Sequence, residues 1–103
     1  ANMAATIDLP KLDFDFEQKL QEWTKELRGW NVILYNDNYN KLVEVVNWLQ
    51  KATGCSLEVA EHVTYTAHQK GRAICFSGAK EKCQDVANYL RGKGLQVEVD
   101  TVE

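Results

Sequence analysis

The sequence predicts a two-layer α+β domain in the order βααβαβ, with helices packed on one face of a three-stranded, largely antiparallel sheet. Three observations point to this. Trp30–Tyr35 is a short run of β-branched and aromatic residues that breaks at Asn36-Asp37-Asn38. Three later stretches repeat apolar residues at helical spacing, each bounded by Asn, Ser or Gly. The final stretch alternates, with Leu95, Val97 and Val99 on one face and Gln96, Glu98 and Asp100 on the other, as in a sheet with one packed and one wet face.

Residues 1–28 read as an N-terminal extension. Its first part is polar and flexible, and its second part is helical, with Phe16, Leu20, Trp23 and Leu27 at i, i+4, i+7 and i+11 until Arg28-Gly29 stops it. That stripe suits packing on the domain's own core or on a partner. Residues 29–103 form the core domain, starting with the strand Trp30–Tyr35. Asn40 is placed to cap a helix whose stripe is Leu42, Val45, Val46 and Leu49, ending at Gly54. Ser56 caps a second helix with Val59, Ala60, Val63 and Ala67 inward, ending at Gly71. Arg72–Phe76 is a second strand. After Ser77 a third helix carries Cys83, Val86, Ala87 and Leu90, closed by Gly92 and Gly94 before the last strand.

At 103 residues the chain has the length of one domain. Such a domain buries roughly 60–65% of its unfolded surface, enough for a core without metal or disulfide staples. Fifteen acidic residues against 12 basic ones give a net charge of −3, and no Lys/Arg cluster forms a phosphate-neutralising face, which argues against nucleic acid. No apolar run approaches the ~20 residues of a membrane span. Ala1–Pro10 lacks the basic and apolar segments of a secretory signal. Cys55, Cys75 and Cys83 are odd in number and contain no C-x-x-C pair, so they read as reduced, structural thiols in a reducing compartment.

A search for catalysis finds no nucleophile elbow, Walker loop, H-E-x-x-H or dinucleotide fingerprint. His62 and His68 fall about 240° apart around one helix, which excludes a shared metal, so no metal or other cofactor is expected. A Cys–His pair from His68 and Cys75 would need a strand thiol that reads as buried. The Asn36–Asn40 cluster lacks the central Gly and closing Glu of a calcium loop and suits a turn whose Asn and Asp side chains bond their own backbone. The end of the second helix can meet this turn at one rim of the domain. There Asn36 offers an amide oxygen, Asp37 a carboxylate and His68 a ring nitrogen, beside apolar Leu34, Leu42, Val45 and Ala67. Polar acceptors next to an apolar hole suit a peptide N-terminus, whose α-amine (pKa about 8) is mostly protonated at neutral pH.

The run Trp30-Asn31-Val32-Ile33-Leu34-Tyr35-Asn36-Asp37-Asn38-Tyr39, with His68-Gln69-Lys70-Gly71-Arg72-Ala73-Ile74-Cys75 downstream, closely resembles the ClpS adaptor family. The family pattern is approximately V-I-L-x-N-D-D-Y-T-P-M, then a helix pair ending in V-H-x-x-G-K-A-x-C. The spacing between the motifs fits without a gap, and the resemblance covers residues 30–100. It implies a non-enzymatic adaptor that binds the N-terminal residue of substrates (an N-degron). The adaptor would dock on the N-terminal domain of a ClpA- or ClpC-type unfoldase feeding ClpP. A monomer in bacterial cytoplasm or plastid stroma is expected. Carried over by position, Asn36, Asn38 and His68 would bind the α-amine, and Asp37 would support the loop. Leu34, Asn40, Leu42, Val45, Thr64 and Ala67 would line the side-chain pocket, and Glu81 would contact the chaperone. The N-terminal segment matches a variable extension that takes part in delivery.

The sequence departs from the pattern at several of these positions. Asn38 replaces an Asp, removing a charge that favours an amine. Asn40-Lys41-Leu42 replaces T-P-M. Thr64 and Ala67 stand where Met and Val are expected, and Val86 stands where a docking Lys is expected. These changes imply a roomier or more polar pocket, with a changed ranking among Leu, Phe, Tyr and Trp. The alternative is a diverged paralogue that docks on the unfoldase and modulates its substrate choice without binding N-degrons.

Overall fold

A computed structural model of the chain describes residues 29–101. The extension over 1–28 lies outside the described residues. Strand β1 (Trp30–Tyr35) is central and pairs antiparallel with β2 (Arg72–Gly78) on one side and β3 (Val97–Thr101) on the other. The sheet is therefore antiparallel throughout. The alternation expected of the last strand appears in β3, where Val97 is buried while Glu98 and Asp100 are exposed on the wet face, and in β1 Val32 and Leu34 are buried.

The second strand runs two residues beyond the expected Phe76, to Gly78. A bulge accounts for one of the two. Val32 pairs with Phe76 and Ile33 with Ile74, leaving Cys75 as an extra residue. Both Ala73 and Phe76 consequently pack against the core, and Cys75 is buried with them.

Three helices cover one face: α1 (Leu42–Thr53), α2 (Leu57–Lys70) and α3 (Lys80–Gly92). Their buried side chains, among them Leu49, Val63, Cys83 and Leu90, form one cluster with Val32, Leu34 and Val97 of the sheet. Each such Leu or Val contributes roughly 1.5–3 kcal/mol when fully buried. Ser56 caps α2, its hydroxyl accepting the Val59 N–H at 3.2 Å.

Two local expectations change. Asn40 does not cap α1: Lys41 occupies the cap position without a side-chain bond, and the Asn40 side chain turns instead toward Asp37, donating Nδ2 to its carboxylate. Val59 is 49% exposed. The buried arc of α2 is Ala60, Val63, Thr64 and Ala67, and at about 100° per residue Val59 falls just outside it.

The end of α2 is anchored to the sheet through one glycine. Gly71 adopts φ 94°, a left-handed conformation that suits only glycine well, and its N–H closes the helix on the Ala67 carbonyl at 2.9 Å. Its own carbonyl accepts the Asn36 N–H at 3.0 Å. The helix end and the loop after β1 are thereby tied together.

Candidate functional site: a pocket at the end of β1

The loop between β1 and α1 is organised by one carboxylate. Asp37 Oδ1 accepts the backbone N–H of Tyr39 at 3.0 Å and of Asn40 at 2.9 Å, and Oδ2 accepts from Asn40 Nδ2 at 3.2 Å. Asp side chains favour such turns because they replace the missing backbone partners. Partial burial alone would raise the Asp37 carboxyl. The bonds from the Asn40 backbone, the Asn40 side chain and the Tyr39 backbone outweigh it, holding the carboxyl below its ordinary value. The Asn36 side-chain amide takes no part in these bonds.

Beneath the loop lies a narrow pocket, open to solvent, with about 260 Å³ of atom-free space counted out to its mouth. Leu34, Val45, Thr64, Ala67 and Leu95 give it a buried, mostly apolar base. Asn36, Asp37, Asn40 and Leu42 stand around it, and Tyr35 adjoins it. Thr64 spends its hydroxyl proton on the Ala60 carbonyl at 2.8 Å, a back-bond within the helix. That leaves the proton unavailable to a ligand. Leu42 is 40% exposed, at the first turn of α1.

Most of the residues expected at the pocket are thus brought together by the fold. Asn38 and His68 are not among its lining residues. Both are exposed. Asn38 lies in the Asp37-organised loop, and His68 comes directly after Ala67 in the last turn of α2, near the Gly71–Asn36 bond. Glu81 sits elsewhere, in the first turn of α3. Leu95 reads in the sequence only as a strand residue. It reaches the pocket because β3 lies beside β1 and its preceding segment is drawn in, the Leu95 N–H bonding the Leu90 carbonyl at 3.1 Å. Nothing local in the sequence signals that position.

Other chemistries find little support. Burial pushes the Cys75 thiol up to about 12, so it stays protonated at neutral pH and makes a poor nucleophile. Among the described residues no three His, Cys, Asp or Glu side chains gather to hold a metal ion. No helix among them is long and apolar enough to cross a membrane.

Comparison with known proteins gives a consistent result. Residues 25–98 match the family described as ATP-dependent Clp protease adaptor protein ClpS. The chain is 37% identical over 86 residues to the ATP-dependent Clp protease adapter protein ClpS of Escherichia fergusonii, covering 78% of this chain and 81% of that protein. It is 39% identical over 66 residues to the protein of the same name from Cronobacter sakazakii, covering 62% of each. The fold resembles that of Agrobacterium tumefaciens ClpS2, solved bound to L-phenylalaninamide. That likeness has a TM-score of 0.62 at 20% identity and covers 72% of this chain and 96% of that one. With its family match spanning most of its length, the chain belongs to the ClpS family of ATP-dependent Clp protease adaptors.

Proposed function

We propose that this chain is an N-degron adaptor, taking the first residue of a substrate into the pocket at the end of β1 and handing the substrate to a Clp unfoldase. The observation that carries this is the pocket itself: an apolar base over Leu34, Val45 and Ala67 beneath a polar rim of Asn36 and Asp37, in a ClpS-family chain. The base receives the side chain, and burying it is worth up to ~1.5–3 kcal/mol. Asn36, Asn38 and His68 bond the α-amine from the rim. The C-terminal turn of α2, with its partial negative charge, adds to the attraction for an ammonium group. Asp37 holds the loop in shape. No bond is made or broken, so the chain is an adaptor and not an enzyme.

On the same reading the unfoldase is of the ClpA or ClpC type and is met through its N-terminal domain, with Glu81 at the contact. The adaptor works as a monomer in a bacterial cytoplasm or plastid stroma. The test is fluorescence anisotropy with peptides differing in their first residue, each paired with an N-acetylated copy. Binding by large apolar first residues that acetylation abolishes is the expected result. Indifference to acetylation would sink the idea.

Asn38 and Thr64 favour a second reading: a paralogue that docks on the unfoldase without holding N-termini. Capture by an unfoldase N-domain together with no binding of any first residue would select it.

A further inference from the structure

Beside the pocket, on the same surface, lies a second apolar depression that the first-residue site does not use. Val43 and Val46 of α1 and Leu57 and Tyr65 of α2 line a solvent-open depression with about 730 Å³ of atom-free space, open solvent included. Val43 is 72%, Leu57 53% and Tyr65 56% exposed. Scattered single apolar residues need no explanation, but these four line one depression between two helices. Leu42 and Thr64 belong to both the pocket and the groove, so the two adjoin along these side chains.

That continuity selects the occupant. A peptide whose first side chain fills the pocket must leave over the rim, and an extended strand puts alternate side chains on the same side, about 6.6 Å apart. The side chain facing the same surface as residue one is that of residue three. We infer that the groove between α1 and α2 is a subsite for an apolar third residue of the substrate. The inference rests on the pocket binding the first residue. Glu61 stands on the groove wall, so a carboxylate at position three meets like charge and is disfavoured, while the second residue points away and is read weakly.

The test uses peptides that share the best-binding first residue and carry Ala, Leu or Asp at position three, with a parallel series at position two. The matching amino-acid amide, which has no second or third residue, is the reference. Leu at position three should bind about three- to tenfold tighter than Ala, as partial burial of one side chain allows. Asp there should bind weaker than Ala, and position two should vary by less than about twofold. Val43→Ser and, separately, Tyr65→Ser, both at exposed positions, should erase the Leu–Ala difference while leaving the affinity for the amide unchanged. If the amide binds but Leu and Ala at position three are equivalent, or only position two matters, the subsite is overturned and the pocket stands. If neither the amide nor any free N-terminus binds, the pocket reading fails first. A concentration-dependent dimer that Val43→Ser dissociates would reassign the groove to self-association and overturn the subsite.

Discussion

The two ends of β1 are built differently, and about 17 Å of strand separates them. At the Tyr35 end the chain leaves polar groups at the surface above an apolar base, and a single carboxylate, Asp37, holds the loop that bears them. At the Trp30 end a cationic side chain lies over aromatic surface. The Lys80 ammonium lies 5.1 Å from the Trp30 ring centroid, and the buried indole N–H has no partner among the described residues. Glu81 is the next residue along, on the first turn of α3. On the proposed reading, ligand recognition belongs to one end and partner docking to the other. Perturbing either end should leave the other working.

The largest effect is expected at Asp37. Asp37→Ala removes the acceptor of three hydrogen bonds, and hydrogen bonds to a charged group are worth ~1.5–3 kcal/mol each before solvent exposure reduces them. Peptide anisotropy should show about a tenfold loss of affinity or more, with a smaller fall in the urea midpoint. The pH dependence has its origin in the same bonds. The folded-state pKa of Asp37 is depressed, so its contribution is fully present above the ordinary carboxyl value and is lost as pH falls through the lower folded value. Asp37→Asn should flatten that acid limb in a pH series of urea melts. An unchanged limb would break the assignment.

Ala67→Leu comes next. Ala67 is 2% exposed and borders the pocket, so extra methyl groups fill the space a first residue needs. Affinity should fall about tenfold or more, while overpacking costs the fold ~1–3 kcal/mol. Wild-type affinity in this variant would show that the ligand sits elsewhere.

Effects at the other end are smaller and of another kind. Glu81→Lys, at an exposed position in the first turn of α3, should weaken capture by the unfoldase N-domain, cost the fold ~1 kcal/mol through the reversed interaction with the helix dipole, and leave peptide affinity intact. Loss of peptide binding there would dissolve the two-ended division. Lys80→Ala should cost ~0.5–1 kcal/mol through the lost contact with Trp30, again without touching peptide affinity.

The fold is legible in the sequence because its punctuation is local. Gly54 and Gly71 end helices in left-handed conformations and Ser56 caps α2. The βααβαβ order, the inward face of β3 and the stripe of α3 can all be read from spacing. The departures arise where side chains compete for partners across the turn or the sheet. Asn40 has the composition of a cap but bonds Asp37 instead, and periodicity cannot decide between two good partners. The bulge at Cys75 depends on how β2 meets β1, so the extra residue is invisible in one strand alone. The pocket residues on β1, α1 and α2 stand out through their family motifs, whereas Leu95 joins them only through sheet topology. The groove beside them has no such signature, because Val43 and Tyr65 look like ordinary surface residues until the two helices are set side by side.

The most direct measurement is the affinity of one peptide, beginning with a large apolar residue, measured with a free and with an acetylated N-terminus against the wild-type chain and Glu81→Lys. The expected result is binding of the free peptide by both proteins and of the acetylated peptide by neither. Equal binding of the two peptides would contradict an amine-reading site at the Tyr35 end of β1.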